Sequence, residues 1–411
     1  MFEVRPIARE EVPAFIRVHT AAMGRHPTEA YLRSAGDRFE RQRDIGAFED
    51  GQLIGSSVIH WLHLQVPDGA GGARSLPTGG VTNVAVLPTH RRRGALQALM
   101  RDHMTRLHEE GTALAVLWAS ESLIYRRFGY GRATGTERWS IAREHTTLRD
   151  GSPPDGHVVL VGPDEARALW PEVMRRALAG RPGYFPRTPD QWETFFDDDP
   201  DIRDGGSAHF HVVYRDAEAD QADGYATYRV HRRMVDRIFQ HELRVTELMA
   251  TTAEATRGLW RYIFGVDLIA EVTAQQRPLD DPLPWMLLDP RRLRRSVQDG
   301  LWLRLVDVPA ALEARGYACH DSLVLDVRDE FCEWNTGRYR LEASPGGARC
   351  TPTTDTPDLS MDVPTLAAAY LGGARFQALA ATGDVEGAPS VLARADALFA
   401  THATPWCPVF F

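Results

Sequence analysis

The sequence predicts a mixed α/β (α+β) chain: two tandem copies of one fold, the second decayed, then a smaller third α/β segment. Three observations carry this. Short β-rich runs alternate with helices of apolar spacing along the whole chain. The stretch VTNVAVLPTHRRRGAL (81–96) aligns without gaps on VTELMATTAEATRGLW (245–260), each after β-rich runs and before a helix and a further strand. Breaks rich in Pro and Gly fall at RDGSPPDG (149–156) and QQRPLDDPLPWM (275–286). They divide the chain into expected domains at 1–150, 151–288 and 289–411.

In the first copy FEVRPI reads as a short strand. EEVPAFIRVHTAAM places Val12, Phe15, Ile16 and Ala22 at helical spacing. IGAFEDGQLIGSSVIHWLHLQV is a hairpin around Glu49-Asp50-Gly51. GGVTNVAVLP is a buried-type strand stopped by Pro88. In GALQALMRDHMTRLHEEG, Leu96, Leu99, Met100, Met104 and Leu107 form one helix face and Gly111 is the stop. ALAVLWAS is apolar enough for a central strand. The second copy repeats the plan with HVVLV, PDEARALWPEVMRRAL, HFHVVYRD, GYATYRVH, LRVTELMA, ATRGLWRYIF and VDLIAEVTA. The third segment has strands LWLRLVDV and SLVLDVRD, then helices in VPTLAAAYLGG, RFQALAATG and SVLARADALFATH. DPRRLRRS (289–296) reads as a solvated helix start, and FFDDDPD (195–201) as a solvated acidic loop or a lure for a polycationic amine.

Composition narrows the function. A chain of 411 residues has room for two to three domains, at about 100–200 residues each. At 43% hydrophobic and 25% charged residues it can build real cores. No apolar run reaches the roughly 18 residues of a membrane helix, and MFEVRPIAREEVPAF lacks a signal-peptide pattern, so a cytoplasmic protein is expected. Cys319, Cys332, Cys350 and Cys407 form no CxxC pair; free thiols are expected, with no metal site. The net charge of −9 disfavours nucleic acid as a partner and leans toward a cationic substrate.

The turn RRRGAL, between a strand and a helix, is the chemical signal. The first N–H groups of a helix have no internal partner and carry the positive end of the dipole. Gly94 lets a phosphate approach the backbone, and the arginines add charge for further phosphates. The turn is neither G-x-x-x-x-G-K-[ST] nor G-x-G-x-x-G. The competing reading, a solvated basic run or nucleic-acid patch, is weakened by the buried strand before it, the helix after it and the acidic net charge.

VTNVAV, RRRGAL, ALAVLWAS and then YRRFGYG resemble the GNAT superfamily of N-acetyltransferases, in which an Arg/Gln-x-x-Gly-x-Gly/Ala turn binds the pyrophosphate of acetyl-CoA. Arg91-x-x-Gly94-x-Leu96 matches it, Leu96 departing from the small final residue. With the decayed second copy and the apolar tail TPWCPVFF, essentially the whole chain resembles the enhanced intracellular survival (Eis) family. Members pair an active acetyltransferase domain with a degenerate copy and add a sterol-carrier-like domain.

The resemblance implies that Val84, Ala85 and Val86 lie along the pantetheine arm of acetyl-CoA. Arg92, Arg93, Gly94, Ala95, Leu96 and Gln97 would hold the pyrophosphate, and Ser120 and Glu121 would flank the cofactor. Tyr125 would be the general acid and the α-carboxylate of Phe411 the general base. It also implies aminoglycosides or lysine side chains as acceptors, and a homohexamer. The sterol-carrier-like segment would be a lipid site or a scaffold for the tail.

Acetyl transfer to an amine needs an unprotonated nucleophile and a proton donor for the leaving thiolate. A tyrosine near pKa ~10 is close to an alkyl thiol, and a backbone N–H at 84–86 could steady the oxyanion. An α-carboxylate near ~3.5 is a poor base in water, so an apolar tail with Val409, Phe410 and Phe411 would desolvate it by inserting between domains. Other readings stay open. Tyr125 could be a core aromatic, with Tyr130 the competing hydroxyl. Ser120 and Glu121 could be a helix cap and a solvated charge, and the tail a hydrophobic anchor on the last domain or at an oligomer interface. The chain could also acetylate another amine or protein lysine, or bind CoA or lipid without catalysis.

Overall fold

A computed structural model describes residues 2–29, 32–33, 39, 43–150, 154–198, 203–218 and 221–411. Its chain forms two compact units. The first takes residues through Ala133, then Leu301–Thr401 and Phe411; the second takes Thr134–Gly300 and His402–Phe410.

The first unit opens with β1 (Glu3–Pro6), α1 (Val12–Ala22), β2 (Asp44–Glu49), β3 (Gln52–Pro67) and β4 (Ala73–Val86). Then come α2 (Ala95–Glu109), β5 (Leu114–Trp118), α3 (Ser122–Tyr125), β6 (Gly131–Arg132) and β7 (Leu301–Leu305). They make one seven-stranded sheet in the order β1-β2-β3-β4-β5-β7-β6. The β2–β3 turn puts Asp50 and Gly51 at positive φ (52° and 77°), as a tight hairpin requires. α1 buries Val12, Phe15 and Ile16 against Phe48 and Leu53. α2 buries Leu99, Met100, Met104 and Leu107, each fully enclosed. β5 lies between β4 and β7, which is why its residues Leu114–Val116 are apolar and fully enclosed.

The rest of this unit is α4 (Val308–Ala314), β8 (Asp321–Arg328), β9 (Gly337–Ser344), β10 (Gly347–Pro352), β11 (Leu359–Asp362), α5 (Val363–Tyr370), α6 (Phe376–Ala381), β12 (Val385–Gly387) and α7 (Pro389–Phe399). The five strands pair in the order β10-β9-β8-β11-β12. This layer seats the turn after α3. Arg126 Nη2 reaches Asp362 Oδ2 at 3.0 Å and Asp384 Oδ1 at 2.9 Å. Gly131 lies so close to α5 that a Cβ would meet the Pro364 carbonyl oxygen at 1.9 Å.

The second unit repeats the layout. Its sheet runs, edge to edge, through Arg294–Asp299, Gly135–Ala142, Ile269–Arg277, His241–Ala250, Ala222–His231, Phe210–Arg215 and His157–Val161. The helix Ala253–Gly265 buries Leu259, Trp260 and Ile263 in a core shared with Trp139, Val245 and Val272.

The chain changes sheets at Ala133/Thr134 and again at Gly300/Leu301, whereas the composition breaks fall at 149–156 and 275–286. No Pro- or Gly-rich linker marks these crossings, because the strand Gly135–Ala142 begins three residues after β6 ends. DPRRLRRS starts only a single 3-10 turn, capped by Asp289. A short turn, Pro290–Arg292, leads into the strand Arg294–Asp299, which pairs antiparallel with Gly135–Ala142. Arg295 donates to both Glu137 carboxylate oxygens at 2.8 and 2.6 Å, a cross-strand pairing that local pattern does not reveal. Part of FFDDDPD lies outside the described residues. Its Asp198 is held by Arg203, Arg229 and the His209 N–H rather than left to solvent. Among the described residues, no helix is long and apolar enough to cross a membrane.

Candidate active site

The site grows from a fault in the sheet. β3 and β4 pair regularly until Ser56 faces Ala85 and Val58 faces Thr82, so Asn83 and Val84 together oppose the single residue Ser57. This is a β-bulge, and Asn83 takes it up at φ 50°. Ser56 Oγ donates to the Asn83 carbonyl at 3.0 Å and fixes the bulge. On its other edge β4 pairs with β5 only over Thr78–Gly80 against Leu114–Val116. Beyond that the parallel strands part. The β4 edge at Val84, Ala85 and Val86 can therefore accept a strand-like ligand through backbone bonds.

Gly94 follows β4 as the N-cap of α2, at φ 97°. Glycine tolerates this conformation without strain, and the first N–H groups of α2, from Ala95 and Leu96 onward, have no partner within the helix. Ala95 is buried with Val86 and Leu99, and Leu96 packs against them. Gln97 is exposed. The three arginines separate. Arg91 Nη2 donates to the Ala22 carbonyl at 3.1 Å. Arg93 Nη2 pairs with Glu49 at 2.7 Å. Arg92 is exposed, at φ 62°. Arg91 and Arg93 thus brace the turn, which is more than a basic run needs.

At the C-terminal end of β5, Ser120 and Glu121 are exposed, and Glu121 occupies the N-cap of α3. Tyr125 ends α3 and is 5% exposed. Burial raises its pKa above the ordinary 10.0, opposed by a hydrogen bond from Ser120. It meets Tyr130 edge to face at 6.1 Å. Tyr130 is fully buried with no hydrogen-bond partner for its hydroxyl among the described residues, and burial lifts its pKa still further. Of the two tyrosines, Tyr125 is the less enclosed, at 5% against 0%. Tyr125 shares an apolar cluster with Met100, Leu117 and Phe128, and Val84 and Leu96 border that cluster.

Phe411 is placed elsewhere, across β3 and β4. Its ring lies edge-on to His60 at 6.2 Å, and Thr82 Oγ1 donates to its carbonyl oxygen at 3.1 Å. Gly80 makes room: a Cβ there would come within 2.9 Å of the Phe411 ring. α2 packs on the other face of β4, where a Cβ on Gly79 would meet Leu107 at 2.7 Å. The Phe411 oxygen and the helix N-terminus therefore serve opposite faces of one strand. Burial and the Arg43 charge lower the His60 pKa to about 4, so its ring is neutral at pH 7. His60, Gly80 and Thr82 escaped the sequence reading. Two glycines inside a strand, at 79 and 80, were the available signal of close approach.

The tail before Phe411 is not the uniform apolar plug expected. Trp406, Cys407 and Val409 are buried, but Phe410 is 69% exposed.

A bulged strand splayed from its parallel neighbour, beside a glycine-capped helix, is the architecture of a GNAT acetyltransferase, and comparison with known proteins agrees. Acetyltransferase (GNAT) domain models match residues 3–133 and 183–305, and a sterol carrier protein domain model matches 308–408. The N-acetyltransferase Eis of Mycobacterium tuberculosis is 38% identical over 366 residues, 87% of this chain and 85% of its own. An uncharacterized N-acetyltransferase of Streptomyces avermitilis is 38% identical over 421 residues, 100% of this chain and 98% of its own. The solved structure of Eis1 from Mycobacterium abscessus superposes with TM-score 0.83 at 33% identity, covering 100% of both chains. The chain belongs to the Eis family of GNAT N-acetyltransferases. It is an acetyltransferase of two GNAT domains and a sterol-carrier-like domain, and its fold implies acetyl-CoA as donor.

Proposed function

We propose that the chain transfers the acetyl group of acetyl-CoA to primary amines, aminoglycosides first among them. The observation that carries this reading is the β4 edge at Val84–Val86, which β5 does not cover, followed by the Gly94-capped start of α2. The donor fits there by chemistry. Val84, Ala85 and Val86 offer backbone groups to the amide-rich pantetheine arm. Arg92, Arg93 and the N–H groups from Gly94 to Gln97 offer positive charge to the pyrophosphate, with Ser120 and Glu121 flanking it. Acetyl-CoA, when bound, supplies a thioester, whose acyl carbon is open to attack by an amine.

Two proton movements fall to the protein. Tyr125 keeps its proton at neutral pH, as any tyrosine near pKa ~10 does and as burial reinforces, so its hydroxyl can give that proton to the leaving sulfur. Where Phe411 is the last residue of the protein, its α-carboxylate, held by the Thr82 hydroxyl, takes a proton from the acceptor ammonium and leaves the neutral amine to attack. The net charge of −9 favours a polycationic acceptor.

The test is CoA release, followed spectroscopically, with aminoglycosides, polyamines and lysine peptides as acceptors. Turnover with aminoglycosides supports the reading, and turnover with lysine peptides alone moves it to protein acetylation. CoA binding without release from any amine would leave a non-catalytic CoA-binding protein.

A further inference from the structure

The second copy parts its strands as the first does, then fills the gap. His241–Ala250 and Ile269–Arg277 run parallel, paired from His241/Ile269 to Val245/Ala274 and no further. Leu248 is the counterpart of Val84 in the internal alignment, and its carbonyl is already taken: Arg277 Nη1 donates to it at 2.8 Å. Arg277 is buried, and its Nε and Nη2 hold Asp281 Oδ2 at 3.0 and 2.5 Å.

The phosphate loop is gone too. Only Thr251 and Thr252 separate the strand from the helix, and Thr252 Oγ1 caps it by accepting from the Ala255 N–H at 3.0 Å. Gly258, the counterpart of Gly94, lies inside that helix, where a Cβ would come within 2.5 Å of the Tyr214 ring. What is left is a cavity of about 110 Å³. Small-molecule sites usually offer roughly 300–1,000 Å³.

The wall of that remnant includes the chain's own tail. Trp406 lines it and is 3% exposed. Its ring centre lies 5.9 Å from the Arg181 guanidinium carbon and 6.0 Å from that of Arg277. Its backbone N–H donates to the Pro182 carbonyl at 3.0 Å. Thr404 is held at both backbone groups: its N–H donates to Asp280 Oδ2 at 3.0 Å, and its carbonyl accepts from Arg181 Nη1 at 2.7 Å. Arg181 and Asp280 are themselves paired at 2.9 Å. Gly183, at φ 93°, lets the tail lie close, since a Cβ there would be 3.0 Å from the Trp406 backbone nitrogen.

We infer that the second copy's former cofactor cleft is a peptide seat for residues 404–407 of the same chain, with Arg181 and Asp280 as positioning residues for the tail. The seat holds both backbone groups of Thr404, the backbone N–H of Trp406 and one indole. Only Pro408, Val409 and Phe410 join Cys407 to Phe411, so loosening the seat leaves the last residue to its own contacts, those with His60 and Thr82 among them. The effect on catalysis, unlike the seat itself, rests on the reading of Phe411 as base.

The test is hydrogen exchange by mass spectrometry on the tail of the full-length protein, with CoA affinity and kcat measured beside it. In the Trp406→Ala, Arg181→Gln double variant, exchange at Thr404 and Trp406 should rise at least tenfold, CoA affinity should stay within twofold, and kcat should fall. Arg181→Lys, which keeps a donor for the Thr404 carbonyl, should retain part of the protection. Unchanged protection in the double variant overturns the seat. Lost protection with unchanged kcat keeps the seat and overturns the carboxylate base. Should the double variant not fold, Asp280→Ala leaves the indole in place and tests the backbone clamp by the same measurement.

Discussion

The Thr82 hydroxyl donates to the Phe411 carbonyl oxygen at 3.1 Å, joining the middle of β4 to the final residue of the sequence. The bond falls one residue before the bulge at Asn83. It sets an acceptor oxygen on one face of β4, opposite the face that α2 covers.

Thr82→Val keeps the shape and removes the donor. A hydrogen bond to a charged group contributes about 1.5–3 kcal/mol, so kcat should fall by roughly ten- to a hundredfold while CoA affinity holds. Thr82→Ser should recover most of the loss. Steady-state kinetics with calorimetry of CoA binding checks this, and an unchanged kcat in the valine variant would remove Thr82 from the site.

Gly80→Ala should act on the same residue by a different route. The new methyl would stand 2.9 Å from the Phe411 ring and 2.5 Å from Leu62 Cδ1. One of them must move, and overpacking typically costs about 1–3 kcal/mol. Acceptor turnover should drop and the melting temperature should fall modestly. Full activity with normal stability would show that Phe411 need not lie against Gly80.

Tyr125→Phe should lower kcat by about 10²–10⁴-fold, the usual contribution of a general acid, and leave CoA affinity intact. Because burial raises the Tyr125 pKa above 10.0, the alkaline limb of the wild-type rate profile should lie above pH 10. A limb at ordinary tyrosine values or below would assign the proton donor to another group.

Gly94→Ala tests the helix start. The site has room for the methyl, whose nearest neighbour would be the Phe2 ring at 3.7 Å, so the cost is conformational. A non-glycine residue at φ 97° should lose about 1–2 kcal/mol, seen as a lower melting temperature and CoA binding weakened about tenfold. Equal affinity in the two proteins would show that the glycine conformation is not what binds.

His103 predicts an acid limit to stability. It is fully buried, with Nε2 2.6 Å from Ser57 Oγ, and burial followed by the Arg106 charge lowers its pKa from 6.5 to about 3. Between those values the unfolded chain binds a proton that the folded chain refuses. Stability therefore rises with pH across that window: it is lost as pH falls from about 6.5 and levels off near 3. Urea midpoints measured from pH 7 to 4 should show the decline, and His103→Gln should flatten it. Parallel slopes for the two proteins would place the acid sensitivity elsewhere.

The sequence alone determined the elements that rest on local pattern. The period of Leu99, Met100, Met104 and Leu107 made α2, the apolar run at 114–117 made a central strand, and Gly94 made the turn between strand and helix. It also determined the duplication, because 81–96 and 245–260 still align. What only the tertiary structure decided are relations between residues far apart in the chain. Arg91 and Arg93 look identical in sequence, yet one ties to Ala22 and the other to Glu49. The strand 301–305 completes the first sheet although it lies more than 160 residues beyond β6 in the chain. Gly258 matches Gly94 in the alignment but sits inside a helix, since the second copy begins that helix right after its strand. Local patterning fixes which residues share a face. Which face meets which partner depends on long-range pairing, and that is settled only when the sheets close.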